Sequence, residues 1–149
     1  QNLLSDVPRG VREDVGARCT LTHLDLADCH LGMEGLDGLS AGLKENTSLT
    51  WLGLAGNKLF DSGIGRLCEI LRSQYAAAIE ARRTSNLSAL DVGWNSVGPD
   101  GAAALSTVLR HAGCSLTELR LHDNQVMDDG ASCLCDALRV NRTLRFLDL

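Results

Sequence analysis

The pattern LxxLx(L/V) begins at Leu21, Leu49, Leu87, Leu116 and Leu144, at intervals of 28, 38, 29 and 28 residues. Self-similarity at such a period marks a solenoid, in which one unit cannot bury its apolar face alone and must stack on its neighbours. Two periods follow one another within each copy. Near-alternating leucines (Leu49, Leu52, Leu54) give way to a spacing of four (Gly63, Leu67, Leu71). The unit therefore reads strand, turn, helix.

Asn57, Asn95 and Asn124 occupy one place in the pattern, where the chain leaves the strand and turns inward. An inward amide carries donors and an acceptor that satisfy the turn backbone of its own and adjacent units. Cys29 takes this place in the first full copy and is expected to point inward, since a thiol tolerates burial. Four copies of LxxLx(L/V)xx(N/C)x(L/V)xxxGxxxLxxxL resemble the leucine-rich repeats of the long, helix-containing ribonuclease-inhibitor class. The resemblance covers nearly the whole chain. It implies an α/β solenoid in a horseshoe arc, with a parallel sheet on the concave face, helices on the convex face, and a binding surface as its function rather than a chemistry.

A single repeat domain over 1–149 follows. Residues 1–20 are expected to be the rear of a repeat, with Leu3, Val11 and Val15 on its core positions and Val7 at the glycine position; 21–48, 49–86, 87–115 and 116–143 are full units, and 144–149 is the strand of a further one. Neither end shows the polar outer face of a capping repeat, so the chain is expected to be a stretch of a longer array. The unit at 49–86 is ten residues longer than its neighbours, and Ile64, Leu67, Leu71, Tyr75 and Ile79 continue at helical spacing. The segment AAAIEAR is rich in helix formers. This predicts a helix that starts after Asp61 as N-cap and protrudes by two to three turns, leaving Tyr75 and Ile79 in need of cover. Pro99 and Asp100 open the third helix, Ala102 to Ala104 allow close helix approach, and Asp128 and Asp129 favour the start of the fourth.

With 44% apolar residues the chain can bury a substantial core, and its net charge of −5, with both signs interspersed, argues against a nucleic acid partner. No apolar run approaches the roughly 18 residues needed to span a bilayer. Each of the six cysteines is explained by the repeat without a bridge. Cys133 and Cys135 stand two apart on a helix, point in different directions and make a poor chelate. Free thiols predict an intracellular, cytoplasmic setting, and no metal or cofactor is expected. The sequons at Asn46, Asn86 and Asn141 are read as loop residues, because Asn46 and Asn141 each stand three residues before a strand leucine.

On each strand the leucines face the core, so alternate residues face the concave side. One column there is His23, Trp51, Ala89, Glu118 and Phe146; a second is Asp25, Gly53, Asp91, Arg120 and Asp148; a third contains Asp28, Gly56, Trp94 and Asp123, with His122 beside it. Three of the five aromatic residues, Trp51, Trp94 and Phe146, fall on this face. Large aromatics with a polar handle are favoured as binding anchors, and Gly53 and Gly56 are expected to leave room for an incoming group. His23, Asp25, Asp91, Glu118, Arg120, His122 and Asp148 complete the candidate partner-binding set. Catalytic residues are not assigned, since the face supplies no Ser or Cys nucleophile placed by a base.

The expected function is a non-enzymatic protein-protein interaction module, with a basic partner surface favoured by the acidic columns. The uncapped ends and the long helix near Tyr75 and Ile79 offer further neighbour contacts. Three alternatives stay open. LKENTSL and LRVNRTLRFLDL resemble the sensor repeats of intracellular nucleotide-binding receptors; the GTPase-activating protein of the Ran cycle is similar in architecture, although its functional arginine maps to no residue here; and a repeat array can be an architectural part of a ciliary or cytoskeletal assembly.

Overall fold

Leucines that alternate with polar residues cannot satisfy a three-residue strand alone, and here each strand pairs with the next copy of itself. The computed structural model describes residues 19–149. The elements run β1 (His23–Asp25), α1 (Gly32–Glu45), β2 (Trp51–Gly53), α2 (Phe60–Glu80), β3 (Ala89–Asp91), α3 (Pro99–Leu109), β4 (Glu118–Arg120), α4 (Met127–Leu138) and β5 (Phe146–Asp148). All strands are parallel in one sheet of order β1-β2-β3-β4-β5. The helices form a second layer in which α1, α2, α3 and α4 pack on one another in sequence order. The expectations placed on Leu3, Val7, Val11 and Val15 lie outside the described residues.

The core fills the space between the two layers. Leu52, Leu54, Leu90, Val92, Leu119 and Leu121 enter it from the sheet, and Ile64, Leu67, Leu105 and Leu134 from the helices, all of them buried. The motif glycine has a steric reason: a Cβ on Gly63 would stand 2.9 Å from Leu59 Cβ, and one on Gly35 the same distance from Leu31 Cβ. The first turn of each helix can close over its buried residue only if no side chain intervenes. Gly130 serves the neighbouring repeat too, since a Cβ there would meet Ala102 Cβ at 2.9 Å.

The asparagines link the turns. Asn95 Nδ2 donates to the carbonyls of Leu54 (2.9 Å), Val92 (3.1 Å) and Gly93 (2.9 Å), while its Oδ1 accepts from the amides of Asn57 (3.0 Å) and Leu59 (3.2 Å). Asn124 repeats the arrangement one unit on, accepting from Asn95 N (3.0 Å) and Val97 N (2.9 Å), and Asn57 accepts from Leu31 N (3.1 Å). Cys29 departs from the expected inward placement. It is exposed and its Sγ donates only to Ala27 O at 3.4 Å; the thiol has neither the reach nor the paired donor and acceptor to join the ladder.

Two further expectations are corrected. Asp61 does not cap its own helix, whose N-cap is Leu59 with no side-chain hydrogen bond. Its Oδ1 instead accepts from Gly98 N (2.6 Å) and Gly101 N (3.0 Å), capping α3 of the next repeat from outside. The insertion does lengthen α2, to 21 residues against 14, 11 and 12 for the others, but the extension is braced rather than free. Tyr75 is fully buried, its ring 5.5 Å from that of His111, and Gly113 lies against Tyr75 and Ile79 so closely that a Cβ would be 3.1 Å from each. On the other flank Gln74 Nε2 donates to Leu43 O (2.9 Å) and Asn46 O (3.1 Å) and Gln74 Oε1 accepts from Ser85 Oγ (3.2 Å). Ile79 stays half exposed.

The helix-to-strand loops use asparagine as a turn residue. Asn46 Oδ1 accepts from Ser48 N (2.9 Å) and Leu49 N (2.6 Å), and Asn141 Oδ1 from Thr143 N (3.0 Å) and Leu144 N (2.7 Å). These are Asx turns that feed each following strand into register. All six cysteines are free. Among the described residues no helix is long and apolar enough to cross a membrane.

Candidate functional site

Register places the candidate residues in rows. His23 pairs with Trp51, Trp51 with Ala89, Ala89 with Glu118 and Glu118 with Phe146; the second row is Asp25, Gly53, Asp91, Arg120 and Asp148. Adjacent strands lie about 4.8 Å apart, so Trp51 and Phe146, three strands from one another, are separated by roughly 14 Å. Trp94 follows β3 in the turn and is 62% exposed; Phe146 is 50% exposed.

The charged residues of this face are partly committed to the fold. Asp25 Oδ1 accepts from Ala27 N (3.0 Å) and Asp91 Oδ1 from Gly93 N (2.9 Å), so both carboxylates close the turn that leaves their strand. Arg120 Nε lies 2.5 Å from Glu118 Oε1 across one strand, and His122 Nδ1 lies 3.6 Å from Asp148 Oδ2 on the next. Asp28 and Asp123 sit exposed at the turn. The surface is acidic, with Arg120 answered locally by Glu118.

The space over the glycines is occupied, contrary to expectation. A Cβ on Gly53 would fall 2.6 Å from Trp51 Cζ3, and one on Gly56 would fall on the Asp28 carboxylate, 2.9 Å from its Cγ. The indole thus lies down across its own strand, stacked beside His23 at a ring separation of 6.3 Å and an angle of 18°. Gly93 is covered in the same way by the His122 ring, whose Cδ2 would be 2.9 Å from an added Cβ. Each glycine accommodates a large side chain from its own or an adjacent repeat, so Trp51 and His122 present ring faces rather than pockets.

Trp94 differs from Trp51. Its φ is 53°, and the equivalent places in the other repeats hold Asp28 (54°), Gly56 (68°) and Asp123 (55°). The left-handed region disfavours a bulky side chain by roughly 1–2 kcal/mol. Glycine and aspartate fit this turn; a tryptophan there is selected by neither the turn nor the core. The positive φ was not legible in the sequence, although the column Asp, Gly, Trp, Asp held the signal.

The Leucine Rich repeat family profile matches residues 17–40, 85–106 and 114–135. Among curated proteins the chain is 35% identical over 132 residues to the human (Homo sapiens) NACHT, LRR and PYD domains-containing protein 13, a match covering 89% of this chain and 12% of that one. It is 33% identical over 151 residues to the ribonuclease inhibitor of Mus musculus, covering 88% and 33%. The chain thus spans about one-eighth to one-third of the length of these relatives. In fold it is similar to the solved structure of Leiomodin-1 Actin-Binding Site 2, with a TM-score of 0.71, 20% identity and coverage of 85% of this chain and 69% of that one. The C-terminal domain of Caenorhabditis elegans tropomodulin gives 0.68, 18%, 93% and 77%. The ladder, the stacked strand-turn-helix units and these relatives lead to one assignment: the chain is a leucine-rich repeat protein.

Proposed function

We propose that the concave sheet face binds a partner protein without catalysing a reaction, and that the partner presents a basic surface with apolar side chains at its centre. The observation that carries this reading is Trp94, a mostly exposed indole held in a left-handed turn that costs stability and returns no core contact to match. Trp94, Phe146 and the Trp51 ring form the anchors. Asp91 and Asp148, with Asp25, Glu118, Arg120, His122 and His23 around them, set the charge preference.

The likeness to NACHT- and PYD-containing proteins supports a place for this repeat array within a longer multidomain chain, where the array would carry recognition. Free cysteines throughout support an intracellular, cytoplasmic setting. The test is an affinity pull-down from cell extract with the chain and its Trp51→Ala, Trp94→Ala double variant side by side. A protein retained by the first and lost by the second supports the reading. Equal retention by both refutes it.

A further inference from the structure

Away from the concave sheet, an edge of exposed apolar residues follows the line where the turns enter the helices. Phe60 opens α2 and is 52% exposed; Met127 opens α4 and is 67% exposed. Both stand eleven residues after the first leucine of their repeat, the place held by Gly32 and Gly98 in the other two full repeats. Phe60 and Met127 adopt φ of 54° and 55°, and Gly32 has 55° as well. Neither burial nor backbone geometry therefore selects a large apolar side chain here. Gly98, in the repeat between them, leaves a gap in the row.

The surroundings are acidic. Asp100 lies in the first turn of α3 and Asp128 and Asp129 in that of α4, all exposed, with Asp123 exposed in the preceding turn. Among the described residues of this edge Lys58 is the single lysine or arginine. Two repeats separate Phe60 from Met127, which is roughly 10 Å at the sheet spacing and 16–20 Å at the helix spacing. That span corresponds to about two to four turns of a helix at 5.4 Å per turn.

We propose that this edge docks a basic amphipathic segment of a partner protein, its apolar side chains seated on Phe60 and Met127 across Gly98 and its Lys or Arg side chains facing Asp100, Asp128 and Asp129. Charge complementarity fixes the sign of the partner, and the apolar pair separates it from a merely basic chain. The proposal stands apart from the concave-face reading, because neither residue lies on the sheet.

The test titrates a synthetic helical peptide with leucine on one face and lysine on the other into the intact chain by calorimetry, beside versions with serine for leucine and glutamate for lysine. The leucine–lysine peptide is expected to bind at least tenfold more tightly than either control. Phe60→Gly with Met127→Gly should weaken it at least fivefold with an unchanged circular dichroism spectrum, and Val140→Ser, at an exposed apolar residue just beyond the far end of α4, should leave it unchanged. If the glycine pair lowers the helical signal, Phe60→Asn with Met127→Asn gives the same readout, since asparagine tolerates the left-handed region. Failure of the leucine–lysine peptide to bind, equal binding by the serine version, undiminished binding by the folded double variant, or an equal loss with Val140→Ser would each overturn the proposal.

Discussion

Removing one rung of the asparagine ladder gives a stability loss that can be worked from the hydrogen bonds. Asn95→Ala deletes five of them. The three carbonyls involved keep another donor: Leu54 O still receives Asn57 Nδ2 (3.0 Å), Val92 O receives Asn124 Nδ2 (3.0 Å) and Gly93 O receives Gly56 N (3.0 Å). Only the amides of Asn57 and Leu59 are orphaned, and both residues are buried. Each unsatisfied buried donor costs about 1–3 kcal/mol, so the expected loss is about 4 kcal/mol. In urea, with a slope near 2 kcal/mol per molar, the midpoint should fall by about 2 M. Because solenoids lose structure repeat by repeat, the transition should be followed both by tryptophan fluorescence, with Trp94 next to the substitution, and by far-ultraviolet circular dichroism. A loss below about 1 kcal/mol by both probes would refute the account of the ladder.

Other consequences are testable in the same way. Asp61→Ala should cost about 1–2 kcal/mol by uncapping α3, and the loss of amide protection in hydrogen exchange should appear at Gly98 and Gly101 rather than in α2. Tyr75→Ala should cost about 3–5 kcal/mol, since the ring is fully buried between α2 and the His111 loop; a near-neutral result in a thermal melt would mean the helix extension is not braced. Burial pushes the Cys68 thiol up to about 12 from an ordinary 9.0. The unfolded thiol ionises first, so its contribution is complete below pH 9 and is lost as the pH rises from about 9 to 12, by at most about 1.4 kcal/mol per unit. Cys68→Ala should flatten that part of the stability profile, and a thiol reagent at pH 8 should label Cys135 and Cys29 while sparing Cys68.

The repeat was legible because its signal is periodic and redundant. Leu52, Leu90 and Leu119 share a spacing, a face and a burial, so one copy checks another, and the strand register follows directly. What escaped were relations between repeats that leave no mark at a fixed spacing. Asp61 looks like an N-cap of its own helix, and only the stacking shows that its carboxylate reaches the amides of the next one. Gly53 reads as empty space until the Trp51 ring is seen folded across it. Cys29 reads as a ladder residue by position, yet a thiol cannot make the bonds that hold Asn57 inward. Phe60 and Met127 directly follow the buried Leu59 and Val126, and nothing in the repeat pattern marks the next residue as an exposed apolar one.

The central claim is that a partner is held on the concave face. The most direct measurement is amide hydrogen exchange on the complex with the protein recovered by affinity, compared with the chain alone. The account predicts added protection at the strands and their turns, from Trp51 through Trp94 to Phe146, with the outer faces of the helices unchanged. Protection confined to α1, α2, α3 and α4, with the strand turns exchanging as before, would contradict it.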